Sequence, residues 1–337
     1  MRIGANPEKE NNQLSVEHYH RVVIPVYIPN LEEDYFKDGL VILKLCIQSL
    51  LKTIHSKTKI SLIDNGCCNE VIEYLQSLYN EHDCIDQLLN SKINLGKVNA
   101  IYSAVKSNLE PLITIADADV MFLENWQSEV EKVFANFPEA GMVSPVPSSL
   151  GYRSKFVNST IYYGLFKGKI KFEDVISSEG LKKFQESIGR DMYDPIHLEK
   201  YLTVSNKKAT AVIGCGHFVA TLRVEVFKSA PAEVCQHKIV GGSENLYFDI
   251  PNDQAGFLRL ATKNNYAYHL GNAFESWMEK KMEEVLSSSS NNEILKELPE
   301  AQPMSRLQYY IGKLFRIFLF KKFKRQYFKL KGIKVPY

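Results

Sequence analysis

Asp117 and Asp119 stand one residue apart, directly after the apolar run LITIA at 112–116. Two carboxylates so spaced on a turn can face one divalent cation. Hard oxygen ligands suit Mg²⁺ or Mn²⁺, and such ions usually keep phosphate oxygens as further ligands. The competing reading is a solvated acidic turn. A second candidate group is Gly214-Cys215-Gly216-His217. A nucleophilic Cys215 would need an activating base, and the sequence marks none beyond His217.

These residues need elements to hold them. Residues 21–27 (RVVIPVY), 59–64 (KISLID) and 112–116 are short β-branched runs, read as buried strands. Residues 38–53, 70–79, 94–106 and 126–134 carry helical patterns between and after them, the third opening with a glycine turn. Strands alternating with helices imply a mostly parallel sheet with helices on both faces. Ligands bind such sheets at the carboxyl ends of the strands. Asp64, Asn65, Asp117 and Asp119 fall at those ends. Residues 150–210 are irregular and rich in Tyr, Phe and Lys. Residues 209–222 return to strand-like alternation, 253–264 read as a helix, and YAYHL at 266–270 reads as a strand. The run SSSSNN at 287–292 reads as a linker.

At 337 residues, 45% hydrophobic and 24% charged, the chain can bury a core, and wholesale disorder is excluded. No stretch approaches a membrane span of roughly 18 uncharged apolar residues, and the N-terminus has no signal-peptide core. Six scattered cysteines without C-x-x-C pairs read as reduced thiols with no zinc site. The expected location is therefore cytoplasmic, or peripheral at the inner face of a membrane.

Five signals in order resemble the GT-A-fold glycosyltransferases, in particular the inverting family 2. VVIPVYIPN at 22–30 carries Pro25 and Tyr27. Ile63-Asp64-Asn65-Gly66 ends the next strand. Asn94-Leu95-Gly96-Lys97 opens a helix. Asp117-Ala118-Asp119 follows a strand, and Asp253 precedes Arg259 and then Tyr268-His269. The resemblance covers about 21–136 and 210–275. It implies an α/β, Rossmann-like GT-A domain over 1–285, with a nucleotide half at about 20–136 and an acceptor half at 137–285. A linker at 286–303 and a tail at 304–337 would follow.

By the same resemblance, Pro25, Tyr27, Asp64 and Asn65 hold the base. Asp64 would accept from an imide N–H, which favours a UDP-sugar. Asn65 stands where an acid is usual. Asn94, Gly96, Lys97, Asp117 and Gly216 line the nucleotide and sugar. Asp117, Asp119 and His269 bind Mn²⁺ or Mg²⁺, and Asp253 is the general base, with Glu244 its nearest rival. Other roles stay open beside these: turn chemistry for Asp64, a helix cap for Asp253, a solvated Lys97, and a plain strand histidine at His269. The reaction implied is single displacement with inversion, of the kind used in polysaccharide biosynthesis. It moves a sugar from a nucleoside diphosphate to a glycan or lipid-linked glycan hydroxyl. A haloacid-dehalogenase phosphatase also places D-x-D after a strand, but near its N-terminus. A degenerate nucleotide-sugar-binding protein is the non-enzyme alternative.

The net charge of +2 hides an uneven distribution. Residues 306–337 hold ten basic and no acidic residues, leaving 31 against 39 in the rest, a net of −8. Leu307, Ile311, Phe315, Leu319, Phe323 and Tyr327 recur every four residues, with lysines and arginines between. A basic amphipathic segment of this kind suits an anionic membrane surface. Packing on the acidic body is the alternative. No base-reading module accompanies the tail, so nucleic acid is not expected.

Overall fold

Four apolar segments near the N-terminus alternate with helices, and their side chains alternate faces. In the computed structural model, which describes residues 3–6, 9, 13–239, 242–285 and 295–333, the first strand is β1 (His20–Val26). Val22, Ile24 and Val26 pack under the helices Gly39–Thr53 and Asn69–Glu81, through Leu43, Ile47, Leu50, Val71 and Leu75. Val23 faces the other way, onto Val98, Ile101 and Ala104 of the helix Lys97–Val105. This period of two places apolar residues on both faces, as a sheet covered by helices requires.

The remaining strands are β2 (Thr58–Asn65), β3 (Ile85–Ser91), β4 (Leu112–Ala116), β5 (Val120–Phe122), β6 (Ala140–Ser144), β7 (Lys169–Asp174), β8 (Lys200–Ser205), β9 (Thr210–Ile213), β10 (Val219–Arg223), β11 (Leu258–Ala261) and β12 (Ala267–His269). Ten of them form one mixed sheet, in the order β3-β2-β1-β4-β10-β6-β11-β9-β8-β7. The β3-β2-β1-β4 block is parallel, and β6 and β11 are parallel to each other. β10 enters antiparallel between β4 and β6, and β7, β8 and β9 close the far edge with antiparallel pairings. Most strands thus share one direction, with β10, β9 and β7 reversed. β5 and β12 form a separate antiparallel pair beside the end of β4.

Two sequence expectations change. Residues 209–222 are two strands, β9 and β10, split at Gly214–Gly216, rather than one strand-like run. Residues 253–264 are not a helix: the helix Ile250–Gln254 ends early, and β11 follows. Gly256 breaks it, with φ +90 and no room for a Cβ, which would lie 2.0 Å from the Met304 carbonyl oxygen.

The tail lies on the body. Ser305 and Gln308 form a capping box that starts the helix Arg306–Ile317. Gly312 lets this helix touch the helix Asn158–Phe166, since a Cβ there would lie 2.1 Å from the Asn158 carbonyl oxygen. A π-helical turn, Phe318–Lys322, leads to the helix Lys324–Leu330. Met304, Phe328 and Ile333 are buried, and Phe315, Phe320 and Tyr327 pack against the same core. The serine-rich run at 287–292 lies outside the described residues. Residues 286–294 of the expected linker all lie outside the described residues, and 295–303 are seated: Leu295 N–H donates to the Tyr19 hydroxyl at 3.0 Å, and Arg223 Nη1 donates to the Pro299 carbonyl at 3.0 Å. Among the described residues, no helix is long and apolar enough to cross a membrane.

Candidate active site

The carboxyl end of β4 opens into a cleft of about 440 Å³. Asp117 lines it, and its N–H donates to the Phe218 carbonyl at 2.8 Å, because β10 runs antiparallel beside β4. Asp119 lies just past the turn. Its carbonyl accepts from Leu270 N–H at 2.7 Å, and β12 sets His269 opposite Val120. This backbone pairing delivers His269 to the two aspartates. His269 Nε2 lies 3.4 Å from Asp119 Oδ2, while its Nδ1 lies 2.9 Å from the Ser187 hydroxyl, which fixes the ring. Phe184 and Phe218 meet the same ring edge-on.

One ligand atom each from Asp117, Asp119 and His269 lies within 4.8 Å of the others. Asp119 Oδ1 is buried without a hydrogen-bond partner. Burial pushes the Asp119 carboxyl up to about 6; His269 opposes this, and Asp117 adds to it. An orphaned buried oxygen beside a second carboxylate and an imidazole fits a divalent cation in chemistry and spacing.

Lys97 supplies a fixed positive charge. Its Nζ lies 2.5 Å from Asp117 Oδ1 and 2.6 Å from Glu244 Oε1. Burial opposes the ammonium, but Asp117 and Glu244 outweigh it and hold the lysine's pKa above its ordinary value. Gly96 starts the Lys97 helix at φ +83, and a Cβ there would lie 2.8 Å from the His237 carbonyl oxygen. Lys97 N–H donates to the Lys238 carbonyl at 3.0 Å, so the 235–238 segment is laid over the helix start.

Opposite Lys97, a π-helical turn, Asn245–Asp249, follows Glu244. The wide turn lets Glu244 and Asp249, five residues apart, approach one imidazole. His217 Nε2 lies 2.8 Å from Asp249 Oδ1, and its Nδ1 lies 3.9 Å from Glu244 Oε2. Arg259 Nη2 lies 2.9 Å from Asp249 Oδ1 and donates to the Cys215 carbonyl at 2.6 Å; Nη1 donates to the Ser154 hydroxyl at 2.8 Å. Arg259 therefore ties the glycine loop to the turn. Burial would raise the Glu244 carboxyl, but Lys97 and His217 hold it below its ordinary value. Burial pushes the Cys215 thiol far up, so it is no thiolate.

Lys97, Asp117, Gly216 and His269 thus line the cleft together, with Asp119 against His269. Asp64 and Asn65 are buried at the end of β2 and serve the backbone. Asp64 Oδ1 accepts from Gly66 N–H at 3.1 Å and Cys67 N–H at 2.8 Å. Asn65 Oδ1 accepts from Leu95 N–H at 2.8 Å, and its amide donates to Asn94 Oδ1 at 3.1 Å. An aspartate could not make that second bond, since it has no donor. Pro25 pairs with Ile63 within the sheet, and Tyr27 is half-exposed against Phe36.

Asp253 is set apart from this group. It is 1% exposed, and its carboxylate takes the Asn158 side-chain amide and the Ser159 N–H at 3.0 Å. It does not line the cleft. Burial pushes its carboxyl up to about 6 against those donors. Sequence reading missed Asp249 and the apolar wall of Phe184, Ile188, Met192 and Tyr193. The wall comes from the segment with no periodic signal. The nearest clue to Asp249 was Glu244 five residues earlier.

No protein-family model matches the chain, and no curated protein matches it. Among solved structures, the chain is similar to the mannosyltransferase PcManGT from Pyrobaculum calidifontis in complex with GDP-Man and Mn²⁺. The TM-score is 0.43 at 13% identity, over 76% of this chain and 60% of that one. It is also similar to residues 1–349 of S. aureus TarS in complex with UDP-GlcNAc, with a TM-score of 0.41 at 12% identity, over 92% of this chain and 78% of that one. The chain spans about 60% of the length of the mannosyltransferase.

Proposed function

We propose that the chain transfers a sugar from a nucleoside diphosphate donor to a hydroxyl of a glycan or lipid-linked glycan, by single displacement with inversion. The observation that carries this reading is the Asp117, Asp119 and His269 donor set at the cleft, with Asp119 Oδ1 buried and unpartnered. A divalent cation, Mn²⁺ or Mg²⁺, would neutralise the diphosphate leaving group when bound there. Lys97 adds charge at the same end of the cleft and pairs with phosphate as a point charge. Gly216 leaves room for the sugar ring, and the apolar wall from Phe184 to Tyr193 excludes water from it. The base side would fall to Pro25, Tyr27, Asp64, Asn65, Asn94 and Gly96, which lie outside the cleft lining; Asp64 and Asn65 already hold backbone N–H groups, so no base is assigned.

The acceptor hydroxyl must lose a proton as it attacks. We assign that proton to Glu244 rather than Asp253, because Glu244 lines the cleft and Asp253 does not. Glu244 is ionised, and proton transfer from the acceptor needs a carboxylate within hydrogen-bond reach. Asp249 holds the His217 ring beside it, with His217 Nδ1 3.9 Å from Glu244 Oε2. A non-catalytic binding protein is favoured by one feature: Lys97 already occupies the Glu244 carboxylate at 2.6 Å.

Calorimetry with nucleoside diphosphates, with and without Mn²⁺, followed by a nucleotide-sugar screen for diphosphate release, separates the readings. Metal-dependent binding and release support transfer. Binding without release from any donor supports the binding protein. Metal-independent binding removes the role given to Asp119.

A further inference from the structure

The tail helix Arg306–Ile317 carries two apolar faces, and only one is used in packing. Gly312 and Phe315 turn inward, Gly312 onto the helix Asn158–Phe166. Leu307, Tyr310, Leu314, Ile317 and Phe318 stay exposed, Leu307 and Leu314 by 69% and 66%. Their spacing of three, four, three and one residues puts them in one stripe along the helix. Isolated exposed leucines need no explanation, but five apolar side chains in a row do. Phe166 of the neighbouring helix, 53% exposed, meets Phe315 edge-on at 5.3 Å and borders the same tail helix.

Charge identifies what covers the stripe. Lys313, Lys321, Lys322, Arg325 and Lys329 are exposed along the tail, and residues 306–337 contain no acid to offset them. Two such faces brought together would set like charges against each other. An anionic bilayer offers apolar depth for the leucines and negative headgroups for the lysines.

We propose that this exposed stripe, Leu307 to Phe318 with its flanking lysines, seats the protein on an anionic membrane surface while the opposite face of the same helix stays packed on the body. The sequence ridge read at Leu307, Ile311 and Phe315 is thereby divided: Phe315 packs and Leu307 inserts. The surface also has a place relative to the cleft. Ser154 lines the cleft, and four residues on, Asn158 Oδ1 accepts from Arg316 Nε at 2.7 Å.

The test uses the full chain with vesicles of phosphatidylcholine alone or mixed with phosphatidylglycerol. The chain cosediments with the mixed vesicles only, and high salt releases it. Leu314→Glu abolishes cosedimentation, and Lys321→Ala with Lys322→Ala weakens it about thirtyfold. All three positions are exposed, so circular dichroism and Tm stay as in the parent. Failure of the parent to cosediment overturns the proposal, as does equal binding by Leu314→Glu. A lipid-free dimer that Leu314→Glu dissociates, without vesicle binding, makes the face a chain–chain interface and also overturns it. The result is independent of the reaction assigned to the cleft, because no nucleotide is present.

Discussion

Asp119 and Glu244 do different work for the same reason, their neighbours. Asp119 is half-buried, with its Oδ1 buried and unpartnered, whereas Glu244 is neutralised by Lys97 at 2.6 Å. Removing the Asp119 charge therefore relieves a desolvation cost in the metal-free protein but would leave only a neutral amide oxygen to face the cation. Asp119→Asn should lose the Mn²⁺-induced rise in Tm, while its metal-free Tm is equal to the parent's or higher. A retained Mn²⁺ shift would remove Asp119 from the ligand set. Glu244→Gln should keep nucleotide binding and lower turnover by about 10²–10⁴. Asp253→Asn is expected to act on stability instead. Its new amide would face the donors of Asn158 and Ser159, at a cost of about 1–3 kcal/mol. Urea titration and turnover of the two variants check this: lost turnover in a fully stable Asp253→Asn would return the base to Asp253.

The elements that position the site differ in how plainly their sequences announce them. β1, β2 and β4 are buried on both faces, so their β-branched runs are continuous, and polar residues mark their ends. β7 alternates polar residues with a buried Ile170 at the sheet edge and carries little signal of its own. The role of Asn65 was also illegible: the sequence records a missing acid, while the structure uses its amide to hold Asn94. The expected base, Asp253, does not line the cleft, because an acid six places before Arg259 does not encode which side of the chain it faces. The tail helix depends on a single local contact. Gly312→Ala puts a Cβ within 2.1 Å of the Asn158 carbonyl, so the helix must lift or the 158–166 helix must move. Overpacking at such a contact costs about 1–3 kcal/mol. Limited proteolysis should then cut within 306–333 faster than in the parent, and Tm should fall. Unchanged cleavage would mean that the tail docks through Phe315, Phe320 and Phe328 without this approach.

Across the whole molecule, the strand ends opposite the cleft are joined by a buried polar cluster. Glu131 Oε1 lies 2.8 Å from His20 Nδ1 and 2.9 Å from His55 Nε2, and Glu131 Oε2 accepts from the Tyr19 hydroxyl at 2.8 Å. His20 Nε2 reaches Thr114 on β4 at 2.7 Å, and Thr114 reaches Thr221 on β10 at 2.6 Å. Leu295 joins through Tyr19, so the cluster ties the N-terminal strands to the segment leading into the tail. Burial would raise the Glu131 carboxyl, but hydrogen bonds from His20 and His55 hold it at about 2. Burial lowers His20 below its ordinary 6.5. Both shifts act in one direction. Below 6.5 the unfolded chain protonates His20's imidazole before the folded chain does, so stability falls with pH. The Glu131 contribution is complete above its ordinary 4.5 and disappears as pH falls toward about 2. The latter shift corresponds to about 3 kcal/mol near neutral pH. Urea unfolding of the parent and Glu131→Gln across this range isolates the term from all other carboxylates. The stability difference should be about 3 kcal/mol near neutral pH and shrink steadily below about pH 4. A difference independent of pH would mean that Glu131 stabilises by packing and not by its charge.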